Sequence, residues 1–426
     1  MKKNRIVVGC QWGDEGKGKV VDLLAADVDI IARFQGGANA GHTIVVDDTK
    51  YVLHLIPSGI VHDGKECYIG NGVVLDPIGF VEELRVLDSQ GIDYHGRLFV
   101  SPATNLVLPY HKLIDAIDEK NRGTSSIGTT RRGIGPAYID KVARNGIRIA
   151  DLFAPDRLKK RLDWQRVIKE RYLADSTDER ADLNRTYEML IDMQKVFREM
   201  VVDVSRSLFE AHRTGRTILY EGAQGVMLDV DLGTYPFATS SNTTAGGALT
   251  GLGIGPRMID EVVGVIKAYT TRVGAGPFPT ELIDDVGEHL RRRGDEFGAT
   301  TGRPRRCGWL DLVQLRHAMR INGVDSIAVT KLDVLDESSE IKVCTEYELD
   351  GQRIDQVPLD LSELSHVRPV YRTLPGWLSP TTGVTNFADL PQSARQYLNF
   401  IAEDLGVKIC LVSTGAKRQQ TIMCNA

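Results

Sequence analysis

A glycine-rich segment near the start of the chain could bind phosphate. Residues 9–19 (GCQWGDEGKGK) fit the pattern G-x-x-x-x-G-K between Gly13 and Lys19, with a predicted strand before it and a predicted helix after it. In such loops backbone N–H groups and the helix N-terminus hold phosphate oxygens, and lysine neutralises them. Position 20 is valine where a Mg²⁺-binding serine or threonine is usual, so Asp14 and Glu15 are the nearest candidates to replace that oxygen. A solvated glycine turn is the alternative, which the strand and helix around the loop disfavour.

A second small-residue loop, GGANAGHT (36–43), carries one histidine. His42 can donate a proton or hydrogen bond to an oxygen that gains charge, because its pKa lies close to working pH. A lone histidine is more often structural. The loop nevertheless follows the second predicted strand and should lie at the same sheet edge as the first loop, which favours a functional role.

The tetrapeptide TKLD (330–333) follows another predicted strand. One carboxylate can accept hydrogen bonds from both N1–H and the N2 amino group of guanine, a donor pair that adenine lacks. The tetrapeptide is close to the N-K-x-D guanine-binding motif, with threonine in place of asparagine. Together with a phosphate loop in the same chain, it favours GTP over ATP.

The loop GATTGRPRR (298–306) combines three arginines with two hydroxyl side chains. Arginine binds carboxylate and phosphate in a bidentate manner, so the loop suits a dicarboxylate or a phosphate. A solvated basic loop is the alternative. The segments IGTT (127–130), GAQG (222–225) and TSSNTT (239–244) are weaker candidates, and each by itself is typical of an ordinary turn.

The elements that must position these loops alternate between strands and helices. Strands are predicted over residues 5–9, 29–34, 68–74, 98–101, 217–220, 261–268, 326–330 and 408–412, and helices over 18–26, 79–87 and 109–121. This order predicts an α/β fold with a mostly parallel central sheet flanked by helices, and ligands beyond the carboxyl ends of the strands. Residues 151–213 are rich in charge with apolar residues at helical spacing, so we expect a helical subdomain within one elaborated domain spanning 1–426.

Composition excludes several classes of protein. The 52 Lys and Arg against 57 Asp and Glu give a net charge of −5, which disfavours a general nucleic-acid binder. The six cysteines are scattered without metal-site spacing, which is typical of reduced thiols in a cytoplasmic protein. No apolar run reaches the roughly 18 residues of a membrane span, and no signal peptide is expected.

Taken together, the motifs resemble the adenylosuccinate synthetase family. The matching segments occur in the family's order over nearly the whole chain: QWGDEGKGK (11–19), NAGHT (39–43), HLIPSGI (54–60), GIGPAY (133–138), EGAQG (221–225), TSSNTTAGG (239–247), TRVGAGPFPTEL (271–282), FGATTGR (297–303) and TKLDVLD (330–336). The first and the longest of these are highly specific. The chain departs from the family at Arg131, Pro304 and Ala416, where glycine, arginine and proline are usual.

The resemblance implies a GTP-dependent ligase of purine biosynthesis. GTP would phosphorylate O6 of IMP, and L-aspartate would displace the phosphate to give adenylosuccinate, with GDP and phosphate released. It implies one Mg²⁺ per site, held by Asp14 and the carbonyl of Gly41. It also implies a cytoplasmic homodimer in which Arg144 reaches the partner's IMP phosphate, without nucleic-acid or membrane partners.

The resemblance also assigns residues. The catalytic set is Asp14 as the base for N1–H, His42 as donor or acid, Lys17 and Gln224. The IMP set is Asp14, Glu15, Gly16, Lys17, Asn39, Ala40, Gly41, His42, Thr130, Arg144, Gln224, Thr239 and Arg303. The GTP set is Gly13, Asp14, Glu15, Gly16, Lys17, Gly18, Lys19, Gly41, His42, Thr43, Arg305, Lys331, Leu332, Asp333, Ser413, Thr414 and Gly415. The aspartate set is Ala299, Thr300, Thr301, Gly302, Arg303, Pro304 and Arg305.

Two other functions remain open at this point. A GTP-binding regulatory protein could use the phosphate loop and TKLD, but the chain has no D-x-x-G switch in its usual context. A switch also has no need for the arginine-rich loop. A relative that acts on a guanine nucleotide is the other alternative, and Asp14 disfavours it because such relatives are altered at this position.

Overall fold

The computed structural model describes residues 3–46, 49–174, 176–298, 302–358 and 360–424 of the chain. Its strands, numbered along the chain, are β1 (Arg5–Gly9), β2 (Ile30–Arg33), β3 (His42–Val46), β4 (Thr49–Leu53), β5 (Glu66–Ile69), β6 (Val74–Leu75), β7 (Leu98–Val100), β8 (Asn105–Leu106), β9 (Ile218–Glu221), β10 (Glu261–Lys267), β11 (Thr270–Arg272), β12 (Arg306–Gly308), β13 (Leu310–Asp311), β14 (Ser326–Thr330), β15 (Glu340–Leu349), β16 (Gln352–Ile354), β17 (Arg368–Pro375), β18 (Lys408–Ser413) and β19 (Thr421–Met423). Its α-helices are α1 (Lys17–Ala25), α2 (Pro77–Ser89), α3 (Pro109–Asn121), α4 (Ile134–Val142), α5 (Pro155–Ile168), α6 (Glu170–Leu173), α7 (Leu183–Phe197), α8 (Val204–Arg213), α9 (Gly246–Leu252), α10 (Asp285–Arg293), α11 (Leu312–Asn322) and α12 (Gln392–Leu405).

A large central sheet organises these elements. Its strand order is β19-β18-β14-β10-β1-β9-β2-β5-β7, and every neighbouring pair is parallel except β18 with β19. The central strand β1 pairs with β10 and β9, so that Val7 lies opposite Val263 and Glu221. The predicted α/β class with a mostly parallel sheet is confirmed.

Alternating apolar residues give the sheet two buried faces. In β1, Ile6 and Val8 belong to one core, whereas Val7 belongs to the other. Helices α8, α9, α11 and α12 cover the first face, and α1, α2, α3, α5 and α7 cover the second. Because side chains alternate along a strand, a sheet covered on both faces needs strands with continuous apolar runs, such as IVV in β1 and IAV in β14.

Residues 151–213 contain helices α5 to α8, and these helices divide between the two faces of the sheet. Leu158, Leu162 and Leu190 of α5 and α7 are buried in the same core as α1 and α2. Val204 and Leu208 of α8 pack in the core of the opposite face. This segment therefore shares its apolar interior with the central sheet.

The strand predicted over residues 68–74 is shorter than expected. Strand β5 ends at Ile69, and the next residues form a tight turn before β6. A Cβ at Gly72 would lie 1.9 Å from the carbonyl oxygen of Phe34, so the backbones approach too closely there for any side chain. A smaller sheet of β13, β15, β16 and β17 was not predicted. No helix in the described part of the chain is long and apolar enough to cross a membrane.

Candidate active site

The phosphate loop connects β1 to α1 through residues with left-handed backbone conformations. The φ angles of Gly13, Asp14 and Gly16 are 84°, 58° and 86°. Glycine adopts this region freely, and aspartate is among the few other residues that tolerate it. Helix α1 begins at Lys17, so the loop directs backbone N–H groups and a helix N-terminus towards the same point.

Glu15 and Lys17 hold this loop from inside. The Glu15 side chain is buried, and its Oε1 accepts hydrogen bonds from the N–H groups of Gln11 (2.9 Å) and Gly13 (3.0 Å). Its Oε2 accepts from Lys17 Nζ at 2.5 Å, and both side chains are buried. The Glu15 carboxylate is therefore part of the internal hydrogen bonding that shapes the loop.

Asp14 has a different environment. Its side chain is 36% exposed, and Oδ2 accepts a hydrogen bond from Arg305 Nε at 2.7 Å. The Arg305 guanidinium also contacts Glu296 through Nη1, at 2.8 Å from Oε2. A carboxylate of the phosphate loop and an arginine of the predicted aspartate loop thus meet, although they are distant in sequence.

His42 lies beside α1 and is held by a carboxylate that the sequence did not single out. An added Cβ at Gly18 would be 3.2 Å from the Cβ of His42, so the histidine borders the phosphate loop. Its Nδ1 contacts Glu221 Oε1, which as a carboxylate oxygen must accept the proton. Ser58 holds the same carboxylate through its N–H (2.8 Å) and Oγ (2.7 Å).

The other nitrogen of His42 has no protein partner in the described part of the chain. Nε2 is buried, and no hydrogen-bond partner for it occurs among the described residues. Burial lowers the pKa of His42, while the charge and hydrogen bond of Glu221 oppose this effect. The arrangement presents one imidazole nitrogen in a fixed direction, with a carboxylate behind it that can stabilise a positive ring.

Gln224 and Asn39 approach each other next to the phosphate loop. Gln224 Nε2 donates to Asn39 Oδ1 at 3.1 Å, and Gln35 Nε2 lies 3.4 Å from Gln224 Oε1. An added Cβ at Gly13 would be 3.6 Å from the Cα of Gln224. Gln224 itself has a φ of 56°, a left-handed conformation that is uncommon for glutamine. The structure therefore brings two predicted IMP residues together at the edge of the phosphate loop.

The segment around Thr130 is held by two carboxylates of α3. Glu119 Oε1 accepts from the N–H groups of Gly128 (2.6 Å) and Thr129 (3.1 Å). Asp115 accepts from Thr129 Oγ1 at 2.9 Å and from Gly133 N at 2.8 Å. Thr130 is exposed between these anchor points. Its neighbour Arg131 has a φ of 54°, the left-handed region in which the family's usual glycine is unstrained.

The candidate base-binding end is formed by Lys331 and Asp333 after β14. Thr330 Oγ1 donates to the carbonyl of Glu15 at 2.5 Å, which joins this strand end to the phosphate loop. Asp333 Oδ1 is buried without a hydrogen-bond partner in the described part of the chain, and burial raises the pKa of this carboxyl. Lys331 Nζ lies 3.2 Å from Glu296 Oε1. A buried, unpaired carboxylate oxygen is the acceptor that a guanine edge requires.

Lys19 lies at the same end. Its Nζ donates to Ser413 Oγ, Gly415 O and Gln420 O, each at 2.8 Å. Burial lowers the pKa of Lys19 to about 8, although Asp333 and Asp22 oppose the change. The lysine that completes the G-x-x-x-x-G-K pattern therefore organises the loop that follows β18.

The remaining predicted residues lie at the following places. Ala40 is buried, Gly41 is exposed, Thr43 belongs to β3, and the side chain of Leu332 is buried. Thr414 is buried and donates through Oγ1 to Val384 O at 2.9 Å, and Thr239 donates through its N–H to Leu228 O at 2.8 Å. Gly302, Arg303 and Pro304 are exposed, and Arg144 is exposed directly after α4. Ala299, Thr300 and Thr301 lie outside the described residues.

Sequence reasoning missed the charged residues that end buried strands. Arg33, Glu221 and Lys267 are the last residues of β2, β9 and β10, and none of their side chains reaches solvent. Arg33 donates through Nη2 to Gly37 O at 3.1 Å and braces the loop that carries His42. A charged residue directly after an apolar run, at the end of a strand, was the available signal, since charge is seldom buried without a partner.

Comparisons with known proteins agree on one family. A family model described as adenylosuccinate synthetase matches residues 6–422. The adenylosuccinate synthetase of Salinibacter ruber is 53% identical over 98% of this chain and 97% of its own, and that of Hahella chejuensis is 51% identical over 99% and 98%.

Solved structures add to this agreement. The fully ligated adenylosuccinate synthetase of Plasmodium falciparum superposes with a TM-score of 0.93 at 38% identity, over 99% of this chain and 100% of that chain. A succinoaminodeoxyadenylate synthetase of cyanophage S-2L has a TM-score of 0.64 at 21% identity, over 100% of this chain and 97% of that chain, and therefore shares the fold. The chain belongs to the adenylosuccinate synthetase family.

Proposed function

We propose that the loops at the carboxyl ends of the central strands hold GTP, IMP and L-aspartate around Asp14 and His42, which act on the reacting atoms. The chain catalyses the GTP-dependent ligation of IMP and L-aspartate to adenylosuccinate, a step of AMP synthesis. Each role below is assigned from the contacts of the described side chains.

Asp14 acts as the base for IMP. The purine O6 is a poor leaving group, so it must first become a nucleophile and then a phosphate ester. Asp14 takes the proton from N1, negative charge develops on O6, and O6 attacks the γ-phosphorus of GTP to release GDP. The amino group of aspartate then attacks C6. The C6–O6 bond breaks, and O6 leaves as part of the phosphate. The exposed carboxylate of Asp14 and its single arginine partner support this role.

His42 and Lys17 stabilise the transferring group. His42 directs its unpartnered Nε2 at the site, and a proton held there would hydrogen-bond to an oxygen of the phosphoryl group. Lys17 neutralises charge from the start of α1, while Glu15 fixes its ammonium. Gln224 orients the purine together with Asn39.

One observation carries the proposal. His42, which borders the phosphate loop, and Asp333, which follows the strand end joined to that loop, each have a buried polar atom without a partner among the described residues, Nε2 and Oδ1 respectively. Buried polar groups are nearly always hydrogen-bonded in native proteins, so each of these atoms is available to a ligand atom or a water molecule. Asp333 provides an acceptor for guanine N1–H and N2–H, and His42 provides a group for a reacting oxygen.

The donor set next to His42 fits Mg²⁺. Asp14 offers a carboxylate and Gly41 a backbone carbonyl, and hard oxygen donors of this kind suit the ion. An added Cβ at Gly41 would meet only His54, at 3.8 Å or more, so there is space beside this residue. No cluster of three metal-binding side chains occurs among the residues that the structure describes. Mg²⁺ held by Asp14 and Gly41 would neutralise phosphate charge, with most of its ligands from substrate and water.

The other substrate groups have separate anchors. Thr130, Thr239 and Arg303 hold IMP. The segment 299–305 holds aspartate, whose carboxylates are bound by Thr300, Thr301 and Arg303. Ser413 and Gly415 line the guanine pocket, where Lys19 holds them. We also propose a homodimer, in which the exposed Arg144 reaches the IMP phosphate bound to the partner subunit.

The test is an assay of purified protein with GTP, IMP, aspartate and Mg²⁺, in which adenylosuccinate is measured and each component is omitted in turn. Asp14→Asn should abolish turnover and leave nucleotide binding largely intact, because the amide cannot accept the N1 proton. Near-normal turnover of this variant would contradict the role of Asp14. Formation of product at an unchanged rate without Mg²⁺ would contradict the metal assignment.

A further inference from the structure

Glu296 is a buried carboxylate on which several cationic side chains converge. Its Oε1 lies 2.8 Å from Lys267 Nζ, 2.5 Å from Tyr269 Oη and 3.2 Å from Lys331 Nζ. Its Oε2 accepts from Arg305 Nη1 at 2.8 Å. The side chains of Glu296 and Lys267 are both inaccessible to solvent. Three cations therefore share a single carboxylate, and two of them, Arg305 and Lys331, extend towards the proposed substrates.

The partners of Glu296 fall into two groups. Lys267 and Tyr269 lie behind it in the protein interior, and Lys267 Nζ also donates to Thr271 Oγ1 at 2.6 Å. Arg305, on the arginine-rich loop, and Lys331, after β14, form the second group, which extends towards the proposed substrates. The backbone strengthens the contact between Glu296 and Arg305, because Arg305 N donates to Glu296 O at 2.9 Å. Lys267 and Tyr269 thus fix Glu296, and Glu296 in turn sets the positions of the Arg305 and Lys331 side chains.

Charge explains why this carboxylate remains ionised. Burial alone would raise the pKa of Glu296, but Lys267, Lys331 and Arg305 together hold it well below its usual range. A buried charge is stable only when it is paired and hydrogen-bonded, and both oxygens of Glu296 meet this condition. Arg305 in turn connects Glu296 to Asp14, through Nη1 and Nε of one guanidinium.

We propose that Glu296 is a positioning residue that couples the GTP and aspartate subsites, because one carboxylate fixes Arg305 and Lys331 relative to each other. This inference rests on the proposed function and on the residue sets that the family resemblance implies, in which Lys331 binds GTP and Arg305 belongs to both the GTP and the aspartate set. Loss of the carboxylate should loosen both side chains together, although Lys331 Nζ keeps the carbonyl of Gly294 and Arg305 Nε keeps Asp14. The affinities for GTP and aspartate should then fall in parallel. IMP binding should change less, since Glu296 reaches an IMP residue only indirectly, through Arg305 and Asp14, and no described contact joins it to Asn39 or Gln224.

The first test is Glu296→Gln, assayed by steady-state kinetics with each substrate varied in turn. The amide nitrogen cannot accept from Arg305, so we expect the KM values for GTP and aspartate each to rise about tenfold or more, and the KM for IMP to change less than about threefold. The matched control is Glu281→Gln, which removes the carboxylate paired with Arg306, the residue after Arg305, and should leave all three KM values near those of the parent. Unchanged KM values for GTP and aspartate in Glu296→Gln would overturn the proposal.

A double-mutant cycle separates this inference from the assignment on which it rests. Arg305→Ala alone should raise both KM values if Arg305 contacts GTP and aspartate, and Glu296→Gln should then add little to the aspartate KM in that background. If Arg305→Ala has its effect but Glu296→Gln has none, the coupling is wrong and the assignment stands. If Arg305→Ala has no effect, the assignment itself fails. Additive effects on the aspartate KM would show that Glu296 does not act through Arg305.

A second variant covers the case in which Glu296→Gln does not fold, which thermal unfolding would detect. Tyr269→Phe removes one hydrogen bond to Glu296 Oε1 and retains the ring and the carboxylate. We expect the same parallel rise of the GTP and aspartate KM values, by a smaller factor of about two to five. A folded Tyr269→Phe protein with both KM values unchanged, or with only the IMP KM raised, would overturn the proposal.

Discussion

The Nδ1 atom of His42 is hydrogen-bonded to the carboxylate of Glu221, the last residue of a central strand. Ser58 donates two further hydrogen bonds to this carboxylate. Burial would raise the pKa of Glu221, but His42, Arg33 and Ser58 lower it, so the group is an ionised acceptor. The ring is therefore fixed through Nδ1, which leaves Nε2 without a partner among the described residues, and outer carboxylates commonly fix functional histidines in this way.

Glu221→Gln should lower kcat about 10- to 100-fold, because the amide cannot stabilise positive charge on the ring when an oxygen of the phosphoryl group gains charge. The KM for GTP should change much less, since the base contacts lie elsewhere. Steady-state kinetics would measure both. Ser58→Ala is the matched control, because it removes a partner of Glu221 and keeps the carboxylate beside His42. An equal loss of kcat in the control would show that loop packing is responsible.

Much of the site could be predicted because its loops follow strands of a parallel sheet. Residues 5–9, 109–121 and 326–330 were predicted with the bounds that the structure has, since apolar runs and helical spacing are local signals. Strand order was not needed to place the loops, because the carboxyl ends of parallel strands share one edge. Motifs at residues 11–19 and 330–333 therefore indicated one site.

Asp333→Asn should relax the choice of base. Asp333 Oδ1 is buried without a partner among the described residues, and a neutral amide offers one oxygen where the carboxylate offers two. We expect the KM for GTP to rise about 10- to 100-fold, and the preference for GTP over ITP to fall, because ITP lacks the N2 amino group. Competition between the two nucleotides would measure the preference. Glu337→Gln, an exposed carboxylate of the same turn, is the control, and an unchanged preference in Asp333→Asn would contradict guanine recognition by this residue.

The partners that fix the functional side chains could not be predicted from local patterns. Glu221 is 179 residues from His42, and Glu296, although only nine residues from Arg305, is also paired with Lys267, 29 residues away. Such buried ion pairs depend on which strand ends and loops lie side by side. The smaller sheet, in which β15 pairs with β17 and with β13, was not predicted for the same reason. The sequence of β15, EIKVCTEYEL, is half-exposed and charged, and its long alternation with a bulge gives a weak signal.

Arg144 offers a test of the proposed homodimer. A mixture of Arg144→Leu and Asp14→Asn chains should regain activity, because a mixed dimer contains one site with a functional Asp14 and an intact Arg144 from the other subunit. About a quarter of the parental activity is expected when the chains mix at random in equal amounts, since half of the dimers are mixed and each has one complete site. Adenylosuccinate formation measures recovery, and labelled chains verify exchange. Verified exchange without recovery would contradict a shared site.

Stability should depend on pH through Asp311, which accepts hydrogen bonds from Gln314 N (3.2 Å) and Tyr347 Oη (2.6 Å) at the start of α11. Burial raises the pKa of Asp311 from the usual 3.8 to about 7. Between these two pH values the folded chain holds a proton that the unfolded chain has released. The contribution of Asp311 to the free energy of unfolding therefore decreases as pH rises. The side chain of the Asp311→Asn variant cannot titrate. The free energy of unfolding of this variant, relative to that of the parent, should therefore increase between about pH 4 and 7 and then become constant. Urea unfolding across this range measures the difference. Asp284→Asn, at an exposed cap of α10, is the control, and an identical profile in both variants would contradict titration of Asp311 in this range.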